Sequence, residues 1–198
     1  KRAIKINHKV NALKPIISGF NINDLNVTDT GIILDSLKGS INDIDKISPW
    51  RFRDPLSPDM AAKNEEKTIN FTDLVNFCIN NINNKNYDLT LIEGVGGTMV
   101  PINEKYTIMD LIIALNIPVI LTIGSYLGSI SHTLNAYEIL NKHNINVSSV
   151  VIMQSEINDV GCEATLNSLE NYIKDSPIIY FKRNDIDYLK VDKILNYL

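Results

Sequence analysis

The chain has few of the features that would place it outside the ordinary globular proteins. It has two cysteines, one tryptophan and 7% aromatic residues among 198. Two cysteines are too few for the disulfide framework of small secreted domains. With 19 basic and 23 acidic residues, the net charge is −4. The positive excess that favours nucleic acids or anionic membranes is therefore absent.

Long hydrophobic runs are also missing. The longest, from Ile112 to Ile123, is interrupted by Asn116 and Pro118, and a bilayer requires about 18 consecutive apolar residues. No signal peptide is visible. We therefore expect a cytoplasmic protein that binds neither membrane nor nucleic acid. Cys78 lies on an apolar helical face, which favours a buried, reduced thiol.

What is present is an alternation of apolar strands and helices. Apolar residues from Phe71 to Ile82 follow helical spacing, whereas runs such as 147–153 are almost continuously apolar. Such strands predict a mostly parallel sheet covered by helices on both faces. No linker or repeat is visible, so we expect one α/β domain over residues 1–198. The predicted strands are 9–14, 87–92, 117–123, 147–153 and 177–181; the predicted helices are 28–37 with Gly39 as C-cap, 71–82, 108–115, 129–142, 159–174 and 188–198.

The segment Leu91-Ile92-Glu93-Gly94-Val95-Gly96-Gly97 is the most informative part of the chain. A carboxylate followed by three glycines ends an apolar strand, and ligands of open α/β sheets bind beyond the carboxyl ends of strands. Glycines let backbone N–H groups approach an anion closely. The segment therefore predicts a site for a metal ion and a phosphate.

Lys14-Pro15-Ile16-Ile17-Ser18-Gly19 lies at another strand end. One interpretation of Lys14 is a solvated lysine that closes a sheet edge. The alternative is a cation placed where negative charge develops on a phosphate or carbamate, which would stabilise the transition state. Ser18 would then line the same crevice.

Asp29 lies in Val27-Thr28-Asp29-Thr30-Gly31, where a helix is predicted to begin. A carboxylate is favourable at a helix N-terminus without any ligand. It could also be a second metal ligand, because Mg²⁺ commonly takes one or two carboxylates together with phosphate oxygens and waters. Both interpretations stay open at this point.

A third strand end, Gly124-Ser125-Tyr126-Leu127-Gly128-Ser129-Ile130-Ser131-His132, leads into a predicted helix. Helix N-termini bind carboxylate and phosphate groups. The alternative is a plain turn with Ser129 as the N-cap. His132 has no evident partner to make it a catalytic base, and the histidines lack the spacing of a zinc site.

Taken together, these segments resemble the dethiobiotin synthetase family, in order and up to about Met153. Lys14–Gly19 matches its Lys-Pro-x-x-Ser-Gly element, and Asp29 matches the aspartate that follows it. Ser48–Pro58 matches its Phe-x-x-Pro-x-Ser-Pro segment, with Asp59 in place of the usual histidine. Glu93–Gly97 with Pro101 matches its Glu-Gly-x-Gly-Gly loop, and Leu127–Leu134 matches its Leu-Gly-x-Ile-Asn-His-x-Leu turn. Five elements in register make the resemblance specific.

The resemblance implies a P-loop NTPase-like domain that forms a homodimer and acts as a ligase in biotin biosynthesis. Its substrates would be 7,8-diaminononanoate, CO₂ and ATP, with Mg²⁺ as cofactor. One amine becomes a carbamate, the γ-phosphoryl group activates it as a carbamic-phosphoric anhydride, and the second amine closes the ureido ring of dethiobiotin.

The resemblance also implies roles for individual residues. Lys14 would stabilise charge during carbamate phosphorylation, and Asp29 and Glu93 would bind Mg²⁺. The remaining roles are these: Gly94, Val95 and Gly96 approach the nucleotide phosphates, Ser18 contacts the diamine, Gly128, Ser129 and Ile130 hold the substrate carboxylate across the dimer interface, and Met153 and Gln154 lie at the nucleotide base.

The chain departs from the family pattern in three places. The first strand and the P-loop, Gly-x-x-x-x-x-Gly-Lys-Thr, are missing, because residues 1–8 read as the end of the helix that should follow them. That loop supplies a phosphate cradle and a lysine, so we expect these 198 residues alone not to turn over ATP. Met153 stands where the family reads adenine with an asparagine, and Tyr180–Arg183 replaces its Gly-x-Ile-Pro segment.

Other functions compete with this one. A cobyrinate amidotransferase-type synthetase would carry a glutaminase domain, which is not present, and a MinD/ParA-like ATPase would show a basic membrane- or DNA-binding element. A rival of another class is an inactive remnant that still folds and binds a partner. The altered base-reading positions favour that remnant.

Overall fold

The computed structural model describes residues 1–156, 160–184 and 187–198. The strands are β1 Val10–Leu13, β2 Ile16–Ile17, β3 Trp50–Arg51, β4 Leu89–Ile92, β5 Val119–Gly124, β6 Val147–Met153 and β7 Ile178–Phe181. The helices are α1 Arg2–Lys5, α2 Asp29–Leu37, α3 Ile44–Ile47, α4 Pro58–Asn64, α5 Phe71–Ile82, α6 Ile108–Leu115, α7 Ser129–Lys142, α8 Cys162–Leu169 and α9 Tyr188–Leu195, with 3₁₀ helices at Ile22–Val27 and Ile41–Asp43. Every described pairing between these strands is parallel, which confirms the predicted α/β class.

The chain forms two compact units, one of residue 1 and residues 3–115 and the other of residue 2 and residues 116–198. Among the helices that the described ranges contain, none is long and apolar enough to cross a membrane.

In the first unit, Lys14-Pro15 forms a break between the strands β1 and β2. Before the break, β1 pairs with β4, with Leu13 opposite Ile92; after it, β2 pairs with β3. The backbone N–H of Lys14 donates to the Ile47 carbonyl at 3.1 Å. Proline has no N–H to donate to a ladder, so the hydrogen bonding of the strand changes partner at this point.

The core of the first unit lies where α5 and α6 pack together. Leu74 and Cys78 of α5 are fully buried and contact residues of α6 and of the loop before it. The helical spacing that predicted α5 therefore marks its buried face correctly. The members of this core are Ile16, Phe52, Ala61, Ala62, Ile69, Leu74, Cys78, Ile102, Ile108 and Leu111.

The second unit is a three-stranded sheet in the order β5, β6, β7. Residues 147–152 of the middle strand are all buried, which agrees with the apolar character of most of its residues. The exceptions are Ser148 and Ser149, which are buried as well. Beyond the strand ends, the N–H of Ser125 donates to the Ser155 hydroxyl at 3.0 Å, and the N–H of Ser155 donates to the Ser125 hydroxyl at 3.2 Å. These bonds tie the exits of β5 and β6 together.

The predicted C-cap Gly39 is wrong, and so is the alternative in which Ser129 is an N-cap. Helix α2 ends with Lys38 in the left-handed conformation, at φ 57°, rather than with Gly39 there. The Lys38 N–H reaches the Leu34 and Asp35 carbonyls in that conformation, and these hydrogen bonds offset its steric cost. Helix α7 begins after Gly128, which is the N-cap, so Ser129 is its first helical residue.

Several element bounds also differ from those predicted. The helix predicted over 159–174 is observed over Cys162–Leu169 and continues as turns, and residue 159 lies outside the described residues. The last helix ends at Leu195. The pair of β2 and β3 was not predicted, because strands of two residues carry no periodicity to detect.

Gly31 gives a test of the packing that positions α2. A Cβ at this residue would lie 1.7 Å from the carbonyl oxygen of Leu25, so the preceding 3₁₀ helix would have to move. We expect Gly31→Ala to lower the free energy of unfolding by about 2–3 kcal/mol in urea denaturation. A Cβ at Gly161 meets nothing within 4 Å, so Gly161→Ala is the matched control. Equal effects of the two substitutions would contradict the packing argument.

Cys78 gives a test of the core. Its side chain is fully buried and free of disulfide bonding, and burial raises the pKa of its thiol to about 12. Because the thiolate is the reactive form, we expect Cys78 to resist a thiol reagent at pH 8 in the native protein and to react fully in urea. Mass spectrometry of the labelled peptide checks this, and rapid native labelling would show that the core opens.

Candidate active site

Lys14 is buried at the break between β1 and β2. Its side chain is only 7% exposed, so the interpretation as a solvated lysine closing a sheet edge is wrong. A buried ammonium needs paired charges and hydrogen-bond acceptors to offset the loss of its hydration. The partners of this side chain therefore define the local chemistry.

Three oxygens surround the Lys14 Nζ. It donates to Glu93 Oε1 at 2.8 Å and to the Gly94 carbonyl at 2.7 Å, and it forms an ion pair with Asp29 Oδ2 at 3.0 Å. The structure thus brings together the two predicted carboxylates and the predicted lysine, which come from three separate parts of the sequence. We call this group the lysine–carboxylate cluster.

The fold places each member of the cluster at the end of an element. Glu93 directly follows β4, and its N–H donates to the Leu13 carbonyl at 2.8 Å, which aligns it beside Lys14. Asp29 is the first residue of α2, whose N-cap Thr28 accepts a hydrogen bond from the Gly31 N–H. Asp29 therefore lies at a helix N-terminus, where a carboxylate is favourable, and it also contacts Lys14.

Both carboxylates remain accessible to further ligands. The side chains of Asp29 and Glu93 are 49% and 56% exposed, although the ammonium between them is buried. Mg²⁺ prefers carboxylate ligands together with waters or phosphate oxygens. Two neighbouring carboxylates that are partly open to solvent fit this preference. The residues present therefore suit a divalent cation.

The glycines after Glu93 have different structural roles. Gly96 has φ +65°, and a Cβ there would lie 2.8 Å from a Val100 methyl, so this position favours glycine for conformation and for space. A Cβ at Gly97 would meet nothing within 4 Å. The carbonyl of Gly94 is used by Lys14, a role that the motif did not indicate.

A cleft of about 390 Å³ borders the cluster at Asp29. Ser18 lines it, and its hydroxyl oxygen is buried with no hydrogen-bond partner among the described residues. Sequence reasoning did not assign several other lining residues to the site, although they follow the same strand end as Ser18. These residues are Asn21, Asp24, Val27 and Thr28.

In the second unit, the predicted carboxylate-binding residues lie where α7 begins. Gly128 has φ +95° with open space around its Cα, Ser129 is 2% exposed, and Ile130 lies in the first turn. The Ser129 hydroxyl has no hydrogen-bond partner among the residues that the structure describes. Tyr126 and His132 share a hydrogen bond of 3.1 Å, which gives the histidine a partner that sequence reasoning did not find.

Met153 and Gln154 lie at the end of β6. The Met153 side chain is 43% exposed. The Gln154 side-chain oxygen accepts from the backbone N–H of Arg183 at 2.9 Å, and the backbone N–H of Gln154 donates to the Phe181 carbonyl at 3.0 Å. Gln154 therefore joins the exits of β6 and β7.

Comparison with known proteins places these features in a family. A family model described as "AAA domain" matches residues 1–179. The chain is 44% identical over 169 residues to an ATP-dependent dethiobiotin synthetase of Acidiphilium cryptum, covering 84% of this chain and 75% of that protein. It is 35% identical over 185 residues to the enzyme of that name from Caulobacter sp., covering 93% and 80%.

A third relative of the same name, from Phenylobacterium zucineum, is 40% identical over 146 residues, which are 73% of this chain and 62% of that protein. These relatives confirm the resemblance inferred from the five motifs. They do not carry the names of cobyrinate-type synthetases or partitioning ATPases.

Removing the buried charge tests how the cluster is held together. We expect Lys14→Met to lower the free energy of unfolding by about 1–3 kcal/mol, because the Gly94 carbonyl loses its donor and the two carboxylates repel each other. The control is Lys46→Met, since Lys46 pairs with Asp43 but its side chain is 77% exposed, and exposed pairs contribute little. Urea denaturation of both variants checks this; equal stability of wild type and Lys14→Met would contradict it.

Proposed function

Because the chain belongs to the ATP-dependent dethiobiotin synthetases, a family of ligases, we propose that its lysine–carboxylate cluster phosphorylates a carbamate during ureido-ring closure. The substrates are 7,8-diaminononanoate, CO₂ and ATP. The observation that supports this most is the convergence of Lys14, Asp29 and Glu93 beside a cleft.

The cleft suits a diamine. Asp24 and Asp29 give its wall negative charge, and Ser18 lines it with a buried hydroxyl that has no hydrogen-bond partner among the described residues. An amine bound there reacts with CO₂ to form a carbamate and release a proton. The carbamate oxygen then takes the γ-phosphoryl group of ATP, and ADP leaves.

Lys14 stabilises the negative charge that moves between the phosphoryl and carbamate oxygens, because a positioned cation in a poorly hydrated site lowers the energy of a charged transition state. Asp29 and Glu93 would hold Mg²⁺, which would supply positive charge to the transferring phosphoryl group. The second amine then attacks the activated carbonyl carbon, the phosphate leaves, and the ring closes.

The other predicted residues complete the proposal. The backbone of Gly94, Val95 and Gly96 approaches the nucleotide phosphates; the positive φ of Gly96 is consistent with this role. In the second unit, the start of α7 binds the substrate carboxylate, since a 14-residue helix presents N–H groups at its N-terminus. The residues concerned are Gly128, Ser129 and Ile130. We propose that they bind the carboxylate of a substrate in the partner subunit of a homodimer.

Met153 and Gln154 are proposed to lie at the nucleotide base. The Gln154 oxygen already accepts from the Arg183 N–H, so its amide nitrogen is the group that supports contact with a base. An amide nitrogen donates to base acceptors, whereas adenine recognition by an asparagine or glutamine also uses the oxygen.

The experiment is a product assay with the full-length gene product. Incubation with 7,8-diaminononanoate, bicarbonate and MgATP should yield dethiobiotin and ADP in equal amounts, measured by liquid chromatography and mass spectrometry. We expect Asp29→Asn and Glu93→Gln each to lower kcat/KM by about a hundredfold or more. Glu104→Gln removes an exposed carboxylate from the same loop region and is the control.

Absence of dethiobiotin would overturn the proposed function. Calorimetric titration with the diamine and with MgATP then decides what remains. Binding of neither would support the inactive remnant, whereas binding of the diamine alone would indicate a site that recognises substrate but has lost the chemistry.

A further inference from the structure

The Lys14 ammonium is directed at the carboxylates rather than at the substrate cleft. An ammonium group has three N–H donors. Two of them donate to Glu93 Oε1 and to the Gly94 carbonyl, and Asp29 Oδ2 lies 3.0 Å from Nζ as an ion-pair partner. The residues that line the cleft include Asp29 but not Lys14, so contact between Lys14 and a carbamate bound there requires a different position of this side chain.

The ammonium lies where it would compete with a metal ion. A cation held between Asp29 and Glu93 would take oxygens from both carboxylates, and one oxygen of each already faces Nζ. Magnesium binds such oxygens at about 2.0–2.1 Å, closer than the 2.8 and 3.0 Å distances to Nζ. A dication and an ammonium that share the same two oxygens repel each other strongly in a poorly hydrated site.

The surroundings allow the side chain to move while its backbone stays in place. The Lys14 backbone is held by its hydrogen bond to Ile47 and by the following proline. The four-carbon stem of a lysine is flexible, and the cleft lined by Ser18 and Asp29 offers open space next to the cluster. The ammonium can thus leave the carboxylates without any change in the sheet.

We infer that Lys14 is a built-in counter-cation of the Asp29–Glu93 pair, and that a divalent cation at this pair displaces its ammonium toward the substrate cleft. The inference rests on the proposed function, because it takes these carboxylates as the metal ligands. It makes Lys14 a residue whose position depends on the metal: without the cation it pairs with the two carboxylates, and with the cation it becomes available to stabilise substrate charge.

The first experiment follows Lys14 directly in the wild-type protein. Mn²⁺ is the probe, and its binding is measured by electron paramagnetic resonance with and without ATP. In the same samples, brief acetylation with acetic anhydride and mass spectrometry report the reactivity of Lys14. Lys46, an exposed lysine of α3, is the internal reference.

We expect saturation with Mn²⁺ to raise the acetylation rate of Lys14 at least severalfold while that of Lys46 stays constant, because a 7% exposed side chain becomes accessible. Mn²⁺ binding with no rise in Lys14 acetylation overturns the inference and leaves the proposed function intact. Absence of Mn²⁺ binding under both conditions overturns both.

A second experiment uses two substitutions. In Lys14→Met the cation no longer has to displace an ammonium, so the Mn²⁺ dissociation constant should fall by about tenfold. Lys14→Arg retains a competing charge and should bind Mn²⁺ no more tightly than wild type does. Equal dissociation constants for wild type and Lys14→Met would overturn the inference, and Asp29→Asn, which should weaken Mn²⁺ binding in either background, confirms the location of the ion.

Discussion

The structure of the first unit depends on compensating one buried positive charge. Lys14 lies at the break between β1 and β2, with a side chain that is only 7% exposed. An isolated buried ammonium would be very unfavourable, and its pairing with Asp29, Glu93 and the Gly94 carbonyl makes the position tolerable. The two elements that supply these oxygens, α2 and the loop after β4, must therefore keep their positions relative to this break.

The ammonium depends on this pairing more than the carboxylates do. The ammonium is buried, whereas about half of each carboxylate side chain is exposed, so water hydrates the carboxylates and screens their charge. Two unit charges 4 Å apart interact by about 1 kcal/mol in water and by about 4 kcal/mol near a protein surface. A dication that approaches from solvent meets carboxylates that are still partly hydrated, and it can compete for them without first opening the core.

Much of the fold could be predicted because the strands and long helices are periodic. The apolar positions from Phe71 to Ile82 mark the buried face of α5, and the mostly apolar sequence of β6 indicated a strand that is in fact buried from residue 147 to residue 152. What could not be predicted depends on single hydrogen bonds. Lys38 takes the left-handed conformation next to a glycine because its N–H reaches two helix carbonyls, and no residue pattern records that choice.

In the candidate site too, the sequence pattern predicted which residues take part but not which contacts they form. Motif spacing identified Lys14, Asp29 and Glu93, because strand ends of a parallel sheet lie at one edge. It could not indicate that Lys14 points at both carboxylates, since a lysine at a strand end can equally extend into solvent. The direction of Lys14 depends on the packing around it. Its neighbours Leu13 and Ile16 are 1% and 3% exposed, so the side chain begins in a buried region and its ammonium pairs with the nearest oxygens. A motif lists the charges of such a site, and packing determines which of them neutralise each other before any ligand arrives.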